Sequence, residues 1–114
     1  MVMSKNMIEN KVEAIYSMLL NKEYQQIESL TQGIRLNAKE IENSILDYGF
    51  TLVPYPETIE LDIIEIAEAK PKSWSIVAPV YTKEEGLSDL SIELTLVKNG
   101  NKKLRIELDN IHVS

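Results

Sequence analysis

The chain predicts an α+β fold, with three N-terminal helices packed on a curved four-stranded antiparallel sheet. Three observations carry it. Apolar residues recur at helical spacing up to Gly49, two prolines (Pro54 and Pro56) then close the helical half, and beyond them the apolar period falls to two. A sheet with one apolar and one charged face needs cover on its apolar side, and the helices are the part of the chain available to supply it. With 114 residues, 44% of them hydrophobic, the chain reads as one domain, 1–114, with helices over about 6–49 and strands over about 58–113.

The first helix rests on Ile8, Val12, Ile15 and Leu19, at steps of four, three and four, with Glu9, Asn10 and Glu13 on the other side. Asn21 and Lys22 interrupt this pattern. Tyr24, Ile27 and Leu30 then mark a shorter helix that ends near Gly33. The third helix has the sharpest limits. Asn37 is a good N-cap, Glu40 three residues on completes a capping box, Leu36 and Ile41 suit a hydrophobic staple, and Gly49 is a natural residue just past the end. Ile41, Ile45 and Tyr48 form its inward stripe.

In the second half, Ile59, Leu61 and Ile63 alternate with Glu60 and Asp62, whereas Ile64 and Ile66 take the opposite parity. A bulge or bend near Ile63 and Ile64 is the expectation. After the "AKPKS" turn, Trp74, Ile76, Ala78 and Val80 give one apolar face, and Pro79 predicts an edge or a bulge. Leu90, Ile92, Leu94 and Leu96 and then Leu104, Ile106 and Leu108 form a hairpin around Asn99 and Gly100. Glu93 and Arg105 share the outward parity and are expected to pair across it.

Charge narrows the function classes. The net charge is −6, and from Glu40 to Ala69 there are eight acidic residues and no lysine or arginine. Such a field repels phosphate backbones and attracts cations, which argues against nucleic acid and for a basic protein partner. Without cysteine there is no disulfide, thiolate metal site or cysteine nucleophile. The opening "MVMSKNMIENK" lacks an apolar core of signal-peptide length, and no apolar run is long enough for a membrane, so a soluble cytoplasmic protein is expected.

The stretch "YTKEEGLSDLSIELTLV" crowds Glu84, Glu85 and Asp89 around Gly86. Its spacing is not that of a calcium loop. It reads as a turn in which Gly86 supplies a positive backbone angle and Asp89 caps backbone N–H groups, and secondarily as an acidic surface for a partner. His112, the sole histidine, follows Asp109 by three residues, so in a regular strand the two face opposite sides and make no dyad without a bend. One imidazole alone builds no typical zinc site. Trp74 reads as core or as the wall of a candidate pocket shared with Tyr48, Tyr81, Asp109 and His112, to which Tyr16, Tyr24 and Tyr55 add polar tips. No catalytic triad, phosphate-binding loop or metal pair is visible, and no cofactor is called for.

Two resemblances follow from these residues. "VEAIYSMLLNKEYQQIESLT", a third helix and long strands ending in "LRIELDNIHV" resemble the NTF2-like superfamily of cone-shaped α+β domains, whose functions range from isomerases to pocket binders and immunity proteins. "TLVPYP", "WSIVAPVYTKEEGLSDLSIELTL" and "RIELDNIHV" resemble a family of small bacterial domains without assigned function. The second likeness rests on Trp74, Glu84, Glu85, Gly86, Ser88, Asp89, Leu90, Asp109, His112 and Val113, and it implies contact between the acidic turn and the C-terminal strand.

The functional expectation is a non-enzymatic protein-binding domain, in its sharpest form an immunity protein that neutralises a basic toxin. Glu60, Asp62, Glu65, Glu68, Glu84, Glu85 and Asp89 are its candidate partner-binding residues. The alternative is an NTF2-like pocket protein that binds a small molecule or acts as a small isomerase or lyase. Either form is compatible with a monomer or a homodimer, although charge at Glu93, Lys103, Arg105 and Glu107 disfavours a dry interface on the sheet's outward face.

Overall fold

A computed structural model describes residues 5–56, 59–99 and 103–113. Helices α1 (Lys5–Leu20), α2 (Tyr24–Thr31) and α3 (Ala38–Tyr48) precede strands β1 (Asp62–Glu65), β2 (Ser73–Thr82), β3 (Gly86–Asn99) and β4 (Lys103–Val113). The strands form one antiparallel sheet in sequence order. This is the α+β layering that the change of apolar period predicts.

The stripe of α1 is buried as its spacing requires: Ile8, Val12, Ile15 and Leu19 join Ile27, Ile41 and Ile45 in one core. The sheet's inner face completes that core with Trp74, Ile76, Ala78, Val80, Ile92, Leu94, Leu96, Ile106 and Leu108. Burying one such aliphatic side chain contributes on the order of 2 kcal/mol, so this interleaving dominates the stability of the fold. In α2 the expected inward residue Leu30 is instead exposed, and Thr31 is buried in its place. Thr31 stands four residues after Ile27, on the same face, and its hydroxyl donates to the Ile27 carbonyl at 2.8 Å.

The capping box of α3 is fully formed. Asn37 Oδ1 accepts from Glu40 N–H at 2.8 Å, and Glu40 Oε1 accepts from Asn37 N–H at 3.0 Å. Glu28 of α2 satisfies a further orphan donor, the Ala38 N–H, at 2.6 Å. Gly49, with φ 84°, ends the helix in the left-handed region and returns its N–H to the Ile45 carbonyl.

The first strand differs from expectation in two ways. It spans four residues, so Glu60 precedes it and Glu68 lies in the turn beyond it; Thr58, the expected start, lies outside the described residues. Nor is there a bulge at Ile63 and Ile64, because the register to β2 runs unbroken from Asp62↔Val77 to Glu65↔Trp74. Ile63 packs against the core, while Ile64 faces outward and is 65% exposed. Pro79 behaves as predicted, with a register shift between it and Tyr81. There β1 no longer reaches β2, and residues 51–55 take over the edge. Leu52 bridges Thr82, Val53 N–H donates to the Tyr81 carbonyl, and Lys83 N–H donates to the Thr51 carbonyl. The edge strand is thus split in two by the segment that holds Pro54 and Pro56.

The β3–β4 pair carries the longest ladder, from Asn99↔Lys103 to Leu90↔Val113. The hairpin tip, including Gly100 of the expected turn, lies outside the described residues. The pairing of Glu93 with Arg105 does not form. Arg105 lies opposite Val97 and grips Glu107 of its own strand at 3.1 Å, while Glu93 lies opposite Asn110. Among the described residues, no helix is long and apolar enough to cross a membrane.

Candidate functional site

The acidic turn is built into the fold. Residues 83–85 turn the chain, Gly86 has φ 73°, and Thr82 caps the turn through its hydroxyl, which accepts from Glu85 N–H at 3.0 Å. The expected cap, Asp89, does not serve here; the neighbouring Ser88 hydroxyl accepts from Leu90 N–H and donates to the Val80 carbonyl. Both glutamates reach across to the segment after α3. Glu84 accepts from the Thr51 N–H at 2.8 Å and from the Thr51 hydroxyl at 3.1 Å, and Glu85 accepts from the Tyr48 hydroxyl at 2.7 Å. The Thr51 N–H bond holds the Glu84 carboxyl below its ordinary pKa, and the bond to Glu85 raises that of the Tyr48 phenol. These two carboxylates latch the α3 end to the β2–β3 hairpin. The strand that leaves the turn, rather than the acidic turn itself, pairs with the end of β4, through Leu90↔Val113 and Ser91↔His112.

The carboxylates around β1 are placed differently. Glu60, Asp62, Glu65 and Glu68 are all exposed, and among them Glu65 meets a cation, Lys72, at 3.6 Å. They surround Ile64 and Ile66, which are exposed as well. The acidic residues predicted together therefore separate: Glu84 and Glu85 bond the fold, whereas Asp89 and the carboxylates around β1 face solvent.

The five candidate pocket residues do not converge. Trp74 is buried in the core, and Tyr48 sits at the α3 latch with its ring edge-on to Phe50. Tyr81 stands at the split edge, edge-on to Tyr55, which in turn stacks on Tyr16 at 3.7 Å. The tyrosine hydroxyls there are spent on backbone: Tyr16 donates to the Val53 carbonyl at 2.6 Å, and Tyr55 donates to the Pro79 carbonyl at 2.6 Å. Burial raises the pKa of both phenols. Two concavities on the helical side, of about 910 and 340 Å³, are lined by none of the five.

Asp109 and His112 lie on the outward face of the sheet, brought to one side by a feature that the sequence did not announce. Leu94 pairs with Leu108 and Glu93 with Asn110, so Asp109 is an extra residue bulged out of β4. The bulge resets the parity and turns Asp109, Asn110 and His112 outward while Leu108 and Ile111 point in. Asp109 Oδ2 accepts from the Thr95 hydroxyl at 2.5 Å, its Oδ1 lies 3.9 Å from Arg35 Nε, and His112 Nε2 lies 3.6 Å from Glu93 Oε1. Burial raises the Asp109 pKa. Asp109 Oδ1 and His112 Nδ1 are buried without a hydrogen-bond partner. Among the described residues, no group of three or more histidine, aspartate or glutamate side chains is arranged to hold a metal ion.

No curated protein and no solved structure matches the chain. The profile of one family does, over residues 16–114, a span that takes in the last turn of α1 and all later elements, and the chain belongs to that family, a domain of unknown function (DUF7668).

Proposed function

We propose that this domain is a non-catalytic protein-binding module whose partner is a basic protein. The observation that carries this reading is the solvent-facing acidic segment around β1, where Glu60, Asp62, Glu65 and Glu68 lie within a stretch, Glu40 to Ala69, that has no lysine or arginine. Like charges gathered on one surface repel each other, and a cationic partner relieves that repulsion and is steered toward it. In its sharpest form the module is an immunity protein that occupies the nucleic-acid groove of a nuclease toxin, its carboxylates standing where phosphates would lie. Glu84 and Glu85, engaged with Thr51 and Tyr48, contribute to the fold rather than to the contact.

The test is a pull-down from the source cell lysate with the parent and with a Glu60→Lys, Asp62→Lys, Glu68→Lys variant, each at low and high salt. All three positions are exposed, so the variant keeps its core. The expected result is one stoichiometric basic protein, weakened by salt and lost with charge reversal. Equal capture by both proteins, or capture of nothing at either salt, removes the reading.

A pocket protein of NTF2-like type is the second reading, favoured by Asp109 Oδ1 and His112 Nδ1, buried without a hydrogen-bond partner, the former with only the ion pair to Arg35 at 3.9 Å. Buried polar atoms without partners are rare in folded proteins, and a polar ligand would satisfy them. They lie on the outward face of the sheet, whereas the face toward the helices carries the core. A thermal-shift screen with the parent and with Asp109→Asn decides it: stabilisation of the parent alone supports a ligand there, and none in either disfavours it.

A further inference from the structure

Edge strands are usually blunted by shortness, charge (lysine above all), proline, a bulge or a covering segment, and β1 is short with charges of one sign only, which repel a like edge but not a basic one. Between Asp62 and Glu65 there is no lysine or proline, the register is unbroken, and among the described residues no strand lies beyond β1. Which backbone groups face that open side follows from the ladder. Ile66 N–H donates to the Ser73 carbonyl at 2.9 Å, so Ile64↔Ser75 and Asp62↔Val77 are the hydrogen-bonded pairs by alternation. The Lys98 N–H bond to the Lys72 carbonyl fixes the same parity from the other side of β2. Ile63 and Glu65 therefore direct their N–H and C=O groups away from the sheet.

Beside this row stand Ile64, 65% exposed, and Ile66, 39% exposed, with Glu60 and Asp62 on the same parity. An edge so composed is complementary to a strand whose residues on that face are cationic beside Glu60 and Asp62 and apolar beside Ile64 and Ile66. It is not complementary to itself. A second copy paired at β1 would gather the acidic residues of both chains around one seam, and like charges so gathered repel. We propose that the open edge of β1 takes up an extended basic segment of the partner as a fifth strand, held by the Ile63 and Glu65 backbone and anchored on Ile64 and Ile66. This rests on the reading above that the partner is basic, and it adds the mode of recognition, β-strand addition.

The probe is a short synthetic peptide whose every second residue, all on one face of a strand, runs lysine, lysine, valine, valine with threonine between them, used plain and N-methylated at alternate residues. N-methylation removes strand donors but keeps the charge. With the parent, the plain peptide is expected to slow amide exchange at Ile63 and Glu65, and the N-methylated one to bind about tenfold more weakly or worse. Glu65→Pro deletes a donor that faces the open edge and costs no bond to β2, so it is expected to bind the plain peptide about tenfold more weakly, against less than about threefold for Glu65→Gln. Equal binding of the two peptides, or unchanged exchange at Ile63 and Glu65, overturns strand addition and leaves the acidic-surface reading to the charge-reversal pull-down. Failure of the plain peptide to bind at low salt overturns it too. Protected amides in the free protein together with the mass of a dimer place a second copy on the edge, which also overturns it.

Discussion

The Tyr16 hydroxyl donates to the Val53 carbonyl at 2.6 Å and accepts from the Tyr81 N–H at 3.1 Å, while its ring stacks on Tyr55. One side chain of α1 thereby satisfies backbone groups on two segments that meet where the edge strand is split. Tyr16→Phe keeps the stack and deletes the bonds, which leaves a buried donor and acceptor unmet; a loss of about 2 kcal/mol in chemical denaturation is expected. Asp109 shows the opposite economy. Burial raises its pKa, so its charged form is disfavoured by folding, and the native state gains relative stability as pH falls through the raised pKa toward the ordinary value of 3.8. Asp109→Asn keeps an acceptor for Thr95 and removes the charge. Its melting temperature is expected to exceed the parent's at neutral pH, and the gap to narrow as the parent's carboxyl protonates. A gap that is constant with pH would show that burial of the charge is not the cause.

At the scale of elements, α3 draws its limits from local chemistry, and local chemistry is what a sequence displays. Asn37→Ala removes the acceptor for Glu40 N–H and is expected to cost about 1 kcal/mol, measured by urea denaturation. Gly49→Ala meets no atom within 4 Å, so its expected cost of roughly 1 kcal/mol comes from the positive φ alone. Cap and staple residues lie together at one end and the glycine at the other, each read from its immediate neighbours, which is why this helix was legible throughout. The β4 bulge was not. It arises from a mismatch in count between two strands, and Asp109 carries no glycine or proline to betray it. The inward role of Thr31 was hidden for a related reason, since a threonine that bonds its own helix backbone looks polar in a pattern search. The pairing expected of Glu93 and Arg105 used parity, which was right, without register, which the chain writes only in the hairpin as a whole.

For the molecule as a whole, layering was legible because the change of period at Pro54 and Pro56 is a global signal. The candidate site was legible as charge but not as geometry. Nothing near Glu84 or Glu85 in sequence says that Thr51 and Tyr48 hold them, since those contacts close over 33 and 37 residues. What remains after the latch is accounted for is the acidic segment around β1, of which Glu65 meets Lys72, and it has a consequence for the isolated protein. With a net charge of −6, part of it gathered on one exposed surface, the folded state carries self-repulsion that the expanded chain relieves. Added sodium chloride screens exposed charges beyond roughly 10 Å at about 0.1 M, so thermal stability is expected to rise with salt. The Glu60→Lys, Asp62→Lys, Glu68→Lys variant adds two charges per substitution and is formally neutral. Its melting temperature is expected to exceed the parent's at low salt and to depend on salt with a smaller slope. Melting curves of both proteins at matched ionic strength measure this directly, and parallel salt slopes would mean that the repulsion is spread over the whole surface rather than concentrated at β1.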